Sequence, residues 1–127
     1  MYIGVDLGDK RCGVAIQIEG VVIPKGVYPR VDIVSELKKI QKDYHMTHIV
    51  VGLPYDLYNI DHHQLKKTQK FIEKLKDIFP DTQIIGHDER LSSFEAQRVS
   101  QSISKTKQKR DDIAAAIILE SYLSSHL

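Results

Sequence analysis

Acidic residues stand at three places in this 127-residue chain where an apolar element begins or ends, and that placement is what could do chemistry. Asp6 interrupts the apolar run Tyr2–Leu7, Asp88 and Glu89 follow the run Thr82–His87, and Asp111 and Asp112 open the run Ile113–Leu119. A carboxylate set in an apolar strand is costly to leave ionised without a cation or hydrogen bonds to compensate it. In open α/β sheets, sites gather beyond the carboxyl ends of the strands. Asp6 and Asp88/Glu89 meet there if their strands are parallel and adjacent, and the last helix supplies a third carboxylate if its first turn crosses that edge. Three convergent carboxylates without Cys or a regular His pattern favour hard cations, Mg²⁺ or Mn²⁺. Two such ions about 3.5–4 Å apart activate water and stabilise the leaving oxygen of a phosphodiester. Each acid also has a plainer reading: Asp6 as a turn residue binding local amides, Asp88 and Glu89 as a strand end, Asp111 and Asp112 as first-turn acids that complement the helix dipole. The combination of positions favours a site.

The elements that would position these acids follow from the apolar pattern. Tyr2–Leu7 and Gly13–Ile16 read as a β-hairpin whose turn holds Gly8, Asp9, Lys10 and Arg11. Glu19-Gly20 turns into a third strand, Val21–Tyr28, which Pro24 confines to an edge or a bulge. Asp32 stands as N-cap before Ile33, Val34, Leu37, Ile40 and Tyr44, which have helical spacing. Thr47–Gly52, with its unalternating Ile-Val-Val, reads as a strand covered on both faces. Tyr55–Asp61 is a loop, and an amphipathic helix from about 61 to 79 carries Leu65, Ile72, Leu75 and Phe79 on one side. Thr82–His87 is a short strand, Ser92 and Glu95 form a capping signature for a further helix, and the last helix runs from Asp111 to about Leu123. Three consecutive strands followed by alternating helices and strands predict a mixed α/β sheet: an antiparallel meander extended by parallel strands through crossover helices.

Composition sets bounds. The length predicts one domain, residues 1–127, able to bury about two-thirds of its unfolded surface without disulfides. Net charge is +1, so any grip on a polyanion must come from a local patch. The single cysteine, Cys12, allows neither an intramolecular bridge nor a zinc motif. The start of the chain lacks a signal-peptide pattern and no apolar run approaches a membrane span, so the expectation is a cytoplasmic protein with no membrane partner.

Four segments carry a family resemblance: Gly4-Val-Asp-Leu-Gly-Asp-Lys-Arg-Cys-Gly-Val-Ala15, Val50-Val-Gly-Leu-Pro54, Asp88-Glu-Arg-Leu-Ser-Ser-Phe-Glu-Ala96 and Asp111-Asp-Ile-Ala-Ala-Ala-Ile-Ile-Leu119. In this order the chain resembles the YqgF (RuvX) family of Holliday-junction resolvases and pre-16S rRNA nucleases, within the RNase H-like, RuvC-like superfamily. The resemblance implies an RNase H-like five-stranded mixed sheet flanked by helices, and a Mg²⁺- or Mn²⁺-dependent endonuclease acting on structured RNA, pre-rRNA or branched DNA. It assigns the catalytic and metal-holding roles to Asp6, Glu89 and Asp111, with Asp88 and Asp112 as second choices. Gly8 would allow close backbone approach to a phosphate or metal. Lys10 and Arg11 match the family's basic pair; with Arg90, Lys107, Lys109 and Arg110 they are the expected phosphate contacts. The chain departs from the family after Pro54, where Tyr55-Asp-Leu-Tyr-Asn59 replaces an Asn-x-Asp-Gly type loop, and the stretch between the Glu89 helix and Asp111 is short.

Other groups carry less. His62-His63 lacks ligand spacing and reads as a solvated helix start. His87 is a strand-end histidine in competition with a proton-shuttle role. Tyr55 and Tyr58 offer stacking faces that ordinary packing also explains. Cys12 reads as a small filler. Two rivals stand beside the nuclease: an actin/Hsp70-like ATP-binding protein, which needs two such domains, and an inactive nucleic-acid-binding module.

Overall fold

The structure, a computed structural model, describes residues 1–54, 63–88 and 111–126. Strands β1 (Tyr2–Leu7) and β2 (Arg11–Ile18) form the expected antiparallel hairpin. In its turn the Gly8 N–H donates to the Arg11 carbonyl at 3.0 Å. A Cβ on Gly8 would run into that same carbonyl, so the turn itself demands glycine there. β3 (Val21–Pro29) returns along β2 after a two-residue turn in which Glu19 (φ 51°) and Gly20 (φ 80°) are both left-handed, as a type I′ hairpin requires. Pro24 sits where the register shifts by one residue on this edge strand, so no ladder hydrogen bond is lost in the sheet interior.

A 3-10 turn (Arg30–Asp32) leads into α1 (Ile33–Asp43), which buries Ile33, Leu37 and Ile40. Asp32 occupies the cap position but makes no side-chain cap bond. The preceding turn has already given it near-helical backbone angles (φ −101°, ψ −2°), unlike the extended angles of a capping residue. β4 (His48–Leu53) lies parallel to β1, and β5 (Gln83–Asp88) parallel to β4, joined by α2 (His63–Ile78). Asp88 is therefore the last residue of the strand rather than the first after it. The final helix, α3 (Asp111–His126), runs three residues past the predicted end. Sheet order is β3-β2-β1-β4-β5, the mixed meander-plus-crossover arrangement expected from the order of elements.

Strand alternation divides the molecule into two packed faces. On one, Ile3, Val5, Cys12, Val14, Ile49 and Val51 meet Leu37 of α1 and Phe71, Ile72 and Leu75 of α2. On the other, Ala15 and Val50 meet Ala115, Ala116, Ile118 and Leu119 of α3. Gly4 lies under α3: a Cβ there would stand 2.7 Å from the Ala115 carbonyl and 2.8 Å from Leu119 Cβ. Small residues on β1 and β2 let this helix lie close to the sheet, and its alanine run meets them with small side chains. β4 has both faces covered, as its unbroken apolar run implies.

Candidate active site

The parallel strands β1, β4 and β5 end at one edge. Pairing runs Val5↔Val51 between β1 and β4, and Gly52↔His87 and Leu53↔Asp88 between β4 and β5. Asp6, one position beyond Val5, stands at that edge and shares the α3 face with Gly4. Its partner across the hairpin is Gly13. A Cβ on Gly13 would coincide with the Asp111 carbonyl and press on the Asp112 amide. The first turn of α3 is thus seated directly on the Asp6–Gly13 pair, which makes backbone neighbours of two acidic residues 105 positions apart in the chain. Asp6 and Asp111 are both half-buried, whereas Asp112 is 1% exposed. Of the two acids opening α3, Asp111 is the one with access to solvent.

Asp88 pairs in register with Leu53, whose side chain packs on the α1/α2 core, so alternation sends Asp88 to the face opposite Asp6. His87 is on the α3 face but is a packing residue. It is 3% exposed, its Nε2 lies 2.9 Å from Ser121 Oγ, and Tyr122 meets its ring edge-on. Burial first, then nearby His126, holds the imidazole below its usual range, so the ring is neutral at pH 7 and joins β5 to α3.

Lys10 and Arg11 are exposed at the hairpin tip, where the Lys10 carbonyl accepts the Arg30 N–H at 2.8 Å. Neighbouring Asp9 accepts from Gln64 Nε2 at 2.9 Å and pairs with Lys67 at 3.3 Å; the Gln64 bond and then Lys67 hold its carboxyl below the usual range. Cys12 is wholly buried on the opposite face, a filler as expected, and burial pushes its thiol up. Glu89, Arg90, Lys107, Lys109, Arg110, the Tyr55–Asn59 loop, His62 and the Ser92–Glu95 signature lie outside the described residues.

Among the described residues no three His, Cys, Asp or Glu side chains make a metal-holding group. Asp6 and Asp111 offer carboxylate oxygens alone, the donor chemistry of a hard divalent cation rather than of zinc. Sequence reasoning missed Gly13, which seats the first turn of α3 against Asp6. Its signal was present: a glycine inside a strand marks close backbone approach.

No helix among the described residues is long and apolar enough to cross a membrane. The family model described as RuvX, Holliday junction resolvase, matches residues 1–125. A relative from Caldanaerobacter subterraneus subsp. tengcongensis, named "Putative pre-16S rRNA nuclease", is 37% identical and covers 97% of this chain and 95% of its own. One from Thermoanaerobacter pseudethanolicus with the same name is 38% identical over 96% of this chain and 94% of its own. Among solved structures, T. thermophilus RuvC in complex with Holliday junction substrate superposes with a TM-score of 0.62 at 9% identity, covering 98% of this chain and 95% of that one. The Fowlpox virus resolvase, solved with Holliday junction DNA, gives 0.52 at 13% identity, covering 98% of this chain and 97% of that one. At such identities the likeness is one of fold, and the fold is the RuvC-like RNase H fold. Matched by the family model over nearly its whole length, and by full-length relatives at more than a third identity, the chain belongs to the RuvX family.

Proposed function

We propose that this chain is a metal-dependent endonuclease, a hydrolase of phosphodiester esters. Its first role is maturation of the 5′ end of pre-16S rRNA in the cytoplasm, with resolution of branched DNA as the second. The observation that carries the reading is the seating of the first turn of α3 on the Asp6–Gly13 pair, which sets Asp111 beside Asp6 at the sheet edge. The relatives' names supply the RNA substrate and the family's description the DNA junction.

Asp6, Glu89 and Asp111 would hold Mg²⁺ or Mn²⁺, and the ion would supply activation of water and stabilisation of the phosphodiester's leaving oxygen. Asp6 presents its carboxylate from a strand paired on both sides, and Asp111 from a helix pinned to Gly13, so neither has to be ordered when substrate arrives. Gly8 keeps the hairpin turn tight, and Lys10 and Arg11 meet phosphates from its tip. Arg90, Lys107, Lys109 and Arg110 extend that contact. Residues 1–127 act as one domain.

The test is cleavage of precursor 16S rRNA and of a four-way DNA junction by purified protein with Mg²⁺ or Mn²⁺. Cleavage of the RNA that stops in EDTA supports the reading. Cleavage of the junction alone would move the primary role to DNA, and undiminished cleavage in EDTA would overturn the chemistry.

A further inference from the structure

A second basic feature lies on the α1/α2 side of the sheet, away from α3. A groove of about 540 Å³ runs between the β1–β2 turn, the Arg30 turn and α2. Its charged lining is Arg30, Lys67, Lys70 and Lys74 against one acid, Asp9. That excess of three positive charges gathers on a chain whose net charge is only +1. Asp9 pairs with Lys67, while among the described residues no ion pair engages Arg30, Lys70 or Lys74.

The arrangement is set by α2. Burial of Thr68, Phe71, Ile72 and Leu75 turns the neighbouring positions 67, 70 and 74 toward the groove. Successive lysines on this stripe stand about 5–6 Å apart, comparable with the separation of consecutive phosphates along a strand. The Arg30 guanidinium lies 5.0 Å from the centre of the Phe71 ring and also reaches the Cys12 thiol, contacts that orient its charge at the groove. Val31, 90% exposed at the groove, offers an apolar contact to a sugar or base. Leu7, Gly8 and Asp9 line one end, directly after Asp6 in the chain.

We propose that this groove is a second backbone-binding site, gripping the polynucleotide a few nucleotides from the bond cut at Asp6 and Asp111. The strand passes from one site to the other across the hairpin turn, by Lys10 and Arg11. This path rests on the nuclease reading; the groove's affinity for a strand does not.

The experiment uses the full chain without metal and single-stranded RNA oligonucleotides of four and twelve nucleotides, titrated with salt. Lys70→Ala with Lys74→Ala, both exposed positions, should flatten the slope of log K against log salt by about 1.4 for the longer oligonucleotide. The loss should be smaller for the shorter one. The control pair Lys38→Ala with Lys42→Ala, exposed on α1 outside the groove, should keep the wild-type slope. Equal slopes for wild type and groove variant would overturn the proposal, as would equal flattening by the control, which would mark a net-charge effect. Competition by a mononucleotide as effective as by the twelve-mer would mean a small-anion pocket and also overturn it. An Asp6→Asn protein that still cleaves would refute the active site while leaving the slope comparison to judge the groove.

Discussion

Asp6 and Gly13 face each other across the hairpin, and their difference in legibility is chemical. A charged side chain in an apolar run has few explanations, so Asp6 stood out from the sequence alone. Gly13 acts through the absence of a Cβ, and its meaning appears only once Asp111 is found against it. Adjacent acids were equally opaque: Asp111 and Asp112 have the same charge in one helical turn, and burial of Asp112 separates them. The family resemblance assigns the role to Asp111, whereas periodicity does not distinguish the two acids. Cys12 yields a prediction at this scale. Its thiol pKa is raised by burial above the unfolded value, so its contribution to stability is intact below the unfolded pKa and is lost as pH rises through the folded one. Urea midpoints should therefore fall more steeply above pH about 9 for wild type than for Cys12→Ala. The folded thiol should react with a disulfide reagent only as fast as the protein opens. Rapid labelling of the folded protein would show that Cys12 is accessible.

At the scale of elements, α3 matters most because it both closes one face of the sheet and delivers Asp111. Gly13→Ala puts a methyl group onto backbone, which cannot swing aside as a side chain tip can. It should cost about 1–3 kcal/mol or more and displace the start of α3. Gly4→Ala meets a carbonyl at 2.7 Å farther along the same helix and should cost less. Urea unfolding ranks the two, and divalent-metal titration of the folded variants should show the larger loss for Gly13→Ala. Equal metal affinity in Gly13→Ala and wild type would mean that the seat of α3 does not position Asp111. The element order was readable because each apolar run had one dominant period, and Pro24 and Glu19-Gly20 gave unambiguous turn and edge signals. Ends were less readable. The cap at Asp32 was absent because a 3-10 turn preceded it, and β5 absorbed Asp88 because parallel pairing with Leu53 extends the strand. That extra residue also puts Asp88 on the face opposite Asp6, which nothing in its sequence neighbours revealed.

Across the whole molecule, charge is distributed rather than abundant. The near-neutral total points to a local patch, for which the sequence offers Lys10-Arg11, Arg90, Lys107, Lys109 and Arg110 as candidates. The Arg30–Lys74 groove draws on an arginine before α1 and lysines spaced along α2, so it became visible only after the chain folded. Lys107→Ala with Lys109→Ala should flatten the salt dependence of RNA and DNA binding alike, by roughly one unit per contact, without changing sequence preference. Identical slopes would place the phosphate contacts elsewhere. The most direct test of the site as a whole is cleavage of precursor rRNA in Mg²⁺ by Asp6→Asn, Glu89→Gln, Asp111→Asn and the Asp6→Asn/Asp111→Asn double variant, each shown to be folded. Side chains that hold one metal centre act as a unit, so each single change should reduce cleavage to background and the double variant should be no worse than either of its parents. Wild-type rates in Asp6→Asn or Asp111→Asn would contradict the assignment of these carboxylates to the catalytic centre.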